Sequence, residues 1–362
     1  MTTAASVLVE LNARAPGDKA AAWDPNGLQV GDPTGEVSRL GVCHEVTEKV
    51  ADRAIEGDVD LLVTYHPLLF RPTTRLVAGR GPNGRAFRLA RAGVGVATLH
   101  TAWDAAKGGT TDALATSLGL MDVTRFGPIE GPPLTKLVTF VPSSAVDLVA
   151  SALFRAGAGR IGNYTGCSFR SEGAGTFLPE PGARPVVGRA GELNEEREIR
   201  LEVLISKSEE GVAIAALLGA HPHDEPAFDL YDVRANLGLI GRVGRIERPT
   251  ALGALAHMVG EVLDGPVRCS GDRARKVSRV AVLPGSGGSF VGPAAGSGAE
   301  VYVSGDLSHH DTVAALDLGL STIDPGHAAT ERPGVSQLVS LARTIVPDVI
   351  DLTWDAIPWK EN

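Results

Sequence analysis

Short apolar runs separated by amphipathic stretches set the first rhythm of the chain. Between Val37 and Thr101 the segments VSRLGVCHEV, DLLVTYHPLLF and VGVATLHTAWD each carry a continuous apolar run, with TEKVADRAIEGDV and GRAFRLARAG between them. Runs that are apolar throughout predict strands buried on both faces, and the helical stretches between them predict a largely parallel sheet. In such a sheet the functional side chains lie at the carboxyl ends of the strands, where TYHP and LHTAWD fall here.

The Pro/Gly-rich GPIEGPPL at 127–134 breaks this rhythm, and KLVTFVPSSAVDLVASALFRAGAG opens a unit of different style. Two strand–helix pairs with extra strands, including EIRLEVLIS and EEGVAIAALLGA, predict a small ferredoxin-like α+β insert ending near Gly241 or Arg245. After it the α/β rhythm returns in VSRVAVLPGSGGSF, VYVSGDLS, HHDTVAALDLGL and STIDPGHAATE. The expected organisation is one α/β core of two lobes, 1–130 and 246–362, interrupted by an insert at 131–245.

Length agrees with several domains, since 362 residues exceed what one ordinary core holds. The formal charge of 34 minus 43, or -9, gives no general attraction to phosphate backbones or anionic lipid, so nucleic acid is not an expected partner. Three widely separated cysteines fit neither a disulfide framework nor a zinc knuckle, and they suit a reducing cytosol. The opening MTTAASVLVELNARAP has no basic lead before a long apolar run, and no stretch is apolar enough to span a bilayer. A cytoplasmic protein without membrane insertion is expected.

Chemistry concentrates at strand ends. His66 follows LLVTY and precedes Pro67; His100 and Asp104 follow another strand four residues apart; His327 and Glu331 repeat that spacing after DPG. Spacing of four puts both side chains of a pair on one side of a helical turn. Taken singly, each is most simply a helix cap or a satisfied core histidine. Together, neutral imidazole plus carboxylate without thiolate is the ligand set of zinc, manganese, iron or nickel in a solvent-open site. Adjacent His309 and His310 diverge on any regular element, so at most one reaches a given metal, while Asp306 and His310 are candidates to support ligands by hydrogen bonds. PGSGGSF lacks the P-loop Lys-Ser/Thr and reads as turn chemistry, and HPHDEP at 221–226 reads as a loop or interface.

In order along the chain, these motifs resemble the GTP cyclohydrolase I type 2 homologues, also called the Nif-three-like family. The resemblance rests on WDPNGLQVGDP at 23–33, TYHPLLF at 64–70, HTAWDAAKGG at 100–109, SGDLSHHD at 304–311 and IDPGHAATE at 323–331. The insert is similar to a CutA/PII-like domain through GNYTGCSF, GAGTF, Leu193-Asn194 and HPHDEPAFD. The resemblance implies a dinuclear divalent-metal centre between the lobes, with His66, Asp104, His327 and Glu331 as ligands, His100 as a further one and Glu331 as the bridge. It also implies a toroidal homohexamer whose inserts pack as trimers. Tyr65 stands where the family usually has a histidine, and a neutral phenol is a poor ligand, so one or two ions per chain are expected.

Two functions follow. One is a metal-dependent hydrolase opening the imidazole ring of a purine nucleotide such as GTP. The other is a non-catalytic metal-binding scaffold or regulator.

Overall fold

The apolar runs become short strands in a computed structural model of the chain, which describes residues 2–162, 164–180, 189, 191–233 and 237–356. Two compact units result, Met1–Gly131 with Asn236–Asn362, and Pro132–Ala235.

In chain order the first unit begins with α1 (Ala4–Arg14), β1 (Gly27–Val30), β2 (Arg39–Cys43), α2 (Glu48–Glu56), β3 (Leu61–Thr64), α3 (Pro82–Arg91), β4 (Gly95–Thr98), α4 (His100–Ala105), α5 (Thr110–Ser117) and β5 (Met121–Glu130). The second unit follows as β6 (Leu134–Pro142), α6 (Val146–Arg155), β7 (Ser168–Phe177), β8 (Asn194–Ser206), α7 (Glu210–Ala220) and β9 (Phe228–Val233). The first unit then resumes with β10 (Leu237–Ala251), α8 (Leu252–Leu263), β11 (Arg268–Ser270), β12 (Lys276–Ser286), α9 (Val291–Gly296), β13 (Val301–Gly305), α10 (His309–Asp317), β14 (Ser321–Asp324), α11 (His327–Ile345) and β15 (Asp348–Asp351).

The first unit holds two sheets. One has the order β1-β4-β3-β2-β15, parallel except for antiparallel β1 at its edge. The other has the order β11-β14-β13-β12-β10-β5, with β12, β13 and β14 parallel. The parallel strands bury apolar side chains on both faces because both faces are covered: Leu40, Leu61 and Val63 meet α1 and α11, while Leu62 and Val96 meet α2 and α3. Val280, Val301 and Ile323 pack beneath α5 and α8. The second unit is an antiparallel sheet in the order β7-β8-β6-β9, with α6 and α7 supplying Val149, Leu153, Ala213 and Leu217 to its core. Among the described residues no helix is long and apolar enough to cross a membrane.

The insert ends at Ala235 rather than at 245. The expected break falls inside β10, which pairs with β5 on one side and β12 on the other and so belongs to the first unit. Its GLIGRVGRIERPT looks like a boundary because glycines and charges interrupt the apolar positions, yet pairing along both edges satisfies its backbone.

One device appears in both sheets. The backbone N–H groups of Ser38 and Arg39 and the Ser38 hydroxyl donate to the Asp60 carboxylate at 2.8–2.9 Å, tying the start of β2 to the start of β3. Ser278 and Arg279 do the same with Glu300, at 2.8–3.1 Å, for β12 and β13. Partial burial alone would raise both carboxyl pKa values, but these donors hold them below their ordinary values. Each carboxylate therefore stabilises the fold above its unfolded pKa of about 4, and the contribution is lost as pH falls through the lower folded value. We expect Asp60→Ala and Glu300→Ala each to cost about 1–2 kcal/mol at neutral pH in urea unfolding. The gap from wild type should narrow below about pH 4, and a gap that persists there would assign the loss to packing instead.

Candidate metal centre

Strand ends gather the donors. His44 follows β2, His66 lies just beyond β3, His100 opens α4 after β4, and His327 and Glu331 occupy the first turns of α11 after β14. The ladder pairs Cys43 with Thr64, so the chains leaving β2 and β3 run side by side, and the His66 N–H donates to the His44 carbonyl at 2.8 Å.

Glu331, 2% exposed, is the meeting point. Its Oε2 lies 2.7 Å from His44 Nε2 and 3.2 Å from His66 Nε2, and its Oε1 lies 3.0 Å from His327 Nε2. Donor atoms of His44, His66 and Glu331 all fall within 4.8 Å of one another. Burial alone would raise the Glu331 carboxyl, but the bonds from His327, His44 and His66 hold it well below the usual carboxylate range.

Two of the imidazoles are oriented from behind by carboxylates. Asp306 lies 2.8 Å from His327 Nδ1, and Asp24 lies 2.8 Å from His100 Nδ1 while accepting from the Thr101 N–H at 2.9 Å and from the Thr101 hydroxyl. Such backing fixes the ring and leaves Nε2 free to face a metal. His100 (φ 28°) and Asp306 (φ 52°) both hold left-handed backbone, a strain maintained where these side chains must point. The fit to a divalent cation is good: imidazole Nε2 atoms and a buried carboxylate, with no thiolate.

His100 stands close to this group, its ring centroid 5.1 Å from that of His66. Asp104, one turn further along α4, is not hydrogen-bonded to a histidine but accepts from the Tyr65 hydroxyl at 2.6 Å. Burial pushes the Asp104 carboxyl up to about 7, against the pull of His100 and of that hydrogen bond. Tyr65, 1% exposed, stacks on His44 at 5.5 Å. Burial and then the charges of Asp104 and Glu331 drive its phenol well above its usual range, so without a metal it is a neutral hydrogen-bond donor.

His44 was not among the expected ligands. GVCHE shows the same apolar run followed by histidine, with Glu48 four residues on, but Glu48 pairs with Arg85 and Arg88 while His44 is met by Glu331 from across the fold. Gly285, in PGSGGSF, adjoins the centre as well: with φ 67°, it leaves space in which an added Cβ would come 2.7 Å from Glu331 Oε1. His309 and His310 are exposed in the first turn of α10, whereas Asp306 acts on His327. In the second unit, His221 of HPHDEP uses Nε2 on the Phe140 carbonyl at 3.0 Å and Nδ1 on the His223 N–H at 3.1 Å, which anchors the loop.

An α/β fold with a His/carboxylate cluster at its parallel strand ends defines a class of candidate metal-binding proteins. The profile of the Duf34/NIF3 (NGG1p interacting factor 3) family matches residues 2–361, and the chain belongs to that family. It is 40% identical over 315 residues to a Bacillus subtilis (strain 168) protein named GTP cyclohydrolase 1 type 2 homolog, covering 86% of this chain and 84% of the relative. A Mycobacterium tuberculosis protein of the same name is 35% identical over 349 residues, covering 94% and 91%. Among solved structures, a Bacillus cereus protein related to NIF3 superposes with a TM-score of 0.66 at 32% identity, covering 100% of this chain and 99% of that one.

The His327–Glu331 bond raises the imidazole pKa to about 9, with burial opposing it. The ion pair therefore stabilises the metal-free fold fully below the unfolded histidine value of about 6.5, and is lost as pH rises through about 9. Chelator-treated protein should lose unfolding free energy above about pH 7, and His327→Ala should flatten that limb. An unchanged limb in the variant would place the titration elsewhere.

Proposed function

We propose that the chain is a divalent-metal-binding hydrolase, with His44, His66, His327 and Glu331 holding the first ion and His100 and Asp104 available to a second. The observation that carries this reading is Glu331, a buried carboxylate approached by three imidazole Nε2 atoms. A bound divalent cation would lower the pKa of a coordinated water and polarise the scissile group. The protein's own part is orientation: Asp306 and Asp24 aim their histidines, and Tyr65 steadies Asp104. Metal identity among zinc, manganese, iron and nickel is a matter for elemental analysis.

A purine nucleotide such as GTP is the proposed substrate, supported by the name the curated relatives carry. The second unit, with strand and helix order β-α-β-β-α-β, supports a ferredoxin-like, CutA/PII-like insert. A cytoplasmic homohexamer completes the proposal, and light scattering at six chains is its test. Tyr65 favours a second reading, a one-metal scaffold or regulator, because a buried neutral phenol already committed to Asp104 offers no donor pair to a second ion.

Protein purified without chelator should carry one tightly held ion per chain, and Tyr65→His should bind a second. Glu331→Ala should weaken metal binding by at least about tenfold, because it removes the charge that the imidazoles share. GTP turnover should vanish in Glu331→Ala and Asp104→Ala. Absence of turnover on a nucleotide panel with each of the four metals would leave the scaffold reading standing and remove the hydrolase.

A further inference from the structure

A cavity of about 390 Å³ opens beside the candidate metal centre. Its lining includes Glu45, next after His44, and Pro67, next after His66, so its wall is continuous in sequence with two donor residues. Arg71 and Arg85 both line it, against the single carboxylate of Glu45. Glu48 pairs with Arg85, so Arg71 is the lining cation left without an ion pair among the described residues.

Neither guanidinium is fully used within the protein. Arg85, with its side chain 16% exposed, donates from Nη1 to Glu48 at 3.0 Å, while its Nε is buried with no hydrogen-bond partner among the described residues. A donor on a charged group is costly to leave unpaired. Arg71 is exposed and has neither an ion pair nor a hydrogen bond among the described residues. The first turn of α3 also reaches the cavity through Pro82 and Asn83.

The rim is aromatic. Phe70 lines the cavity and packs edge-on against Trp23 at 5.9 Å, and Trp23 in turn packs against His100 at 5.9 Å. Both rings keep more than half their surface in solvent, 51% for Phe70 and 63% for Trp23. Gln29 holds their two loops together, exchanging hydrogen bonds with the Leu69 backbone at 3.0 and 3.2 Å and donating to the Pro25 carbonyl at 3.0 Å.

We infer that this cavity is a phosphate subsite. It takes the phosphate or pyrophosphate group of a ring-bearing substrate between Arg71 and Arg85, while Phe70 and Trp23 offer faces to the ring. The inference rests on the metal-centre reading for the position of the reacting bond, but not for the anion itself.

Isothermal titration of inorganic pyrophosphate into chelator-treated full-length protein tests it without metal or turnover. Wild type should bind, Arg71→Ala should bind about tenfold more weakly, and Arg85→Lys, which keeps a cation beside Glu48 but removes the rest of the guanidinium fork, should also weaken binding. GMP should bind more tightly than guanosine in wild type, and the difference should shrink in Arg71→Ala. No pyrophosphate binding by wild type, or equal affinity in wild type and Arg71→Ala, overturns the subsite. Arg71-dependent binding in a protein that hydrolyses no nucleotide upholds the subsite and rejects the hydrolase.

Discussion

Burying the Glu331 carboxylate is the constraint on which the first unit turns. An ionised carboxyl removed from water costs several kcal/mol unless cations or donors replace its hydration. Here the replacement comes from His44, His66 and His327, which arrive from three different strand ends. The parallel register of β2 and β3 sets the first two side by side. Helix α11 supplies Glu331 and His327 from its first turns, while Val335, Leu338 and Ala342 further along pack on the sheet that carries β2 and β3. The same hydrophobic contact that seats the helix thus delivers the charge to its partners.

Close approach of backbones keeps this arrangement tight. Gly334 on α11 lies so near α5 that an added Cβ would come 2.3 Å from Thr110 Cα, and the Trp103 indole of α4 donates to the Gly334 carbonyl at 2.9 Å. These contacts fix α4, and with it His100 and Asp104, relative to Glu331. The left-handed backbone at His100 and Asp306 is held by the same packing, as strained positions at functional sites generally are. Tyr65 fits this economy of space: buried between His44 and Asp104, it fills one face of the cluster with a neutral donor rather than a metal-binding nitrogen.

Much of this was legible along the chain. Apolar runs buried on both faces, helices between them and the return of the same rhythm after the insert are local patterns, visible as VSRLGVC and VSRVAVL. The pairing of His327 with Glu331 was legible too, because a helix imposes its own spacing of four. His44 was not, since its partner lies 287 residues away and no helical spacing links them. Nor was the assignment of β10, whose glycine-interrupted stretch becomes a strand only because β5 and β12 flank it. Asp24 is a third case: within WDPNG it looks like a turn residue, and its role on His100 exists only once β1 lies against β4.

The amino-acid sequence by itself determined the α/β rhythm, the interruption near Gly131 and the chemical type of the candidate site, because periodicity, turn chemistry and residue identity act within a few positions. Tertiary structure alone decided which histidines share Glu331, which carboxylates stand behind them and that Tyr65 is spent on Asp104. Those outcomes depend on strand register and on the seating of α11, which bring together groups that no local preference connects.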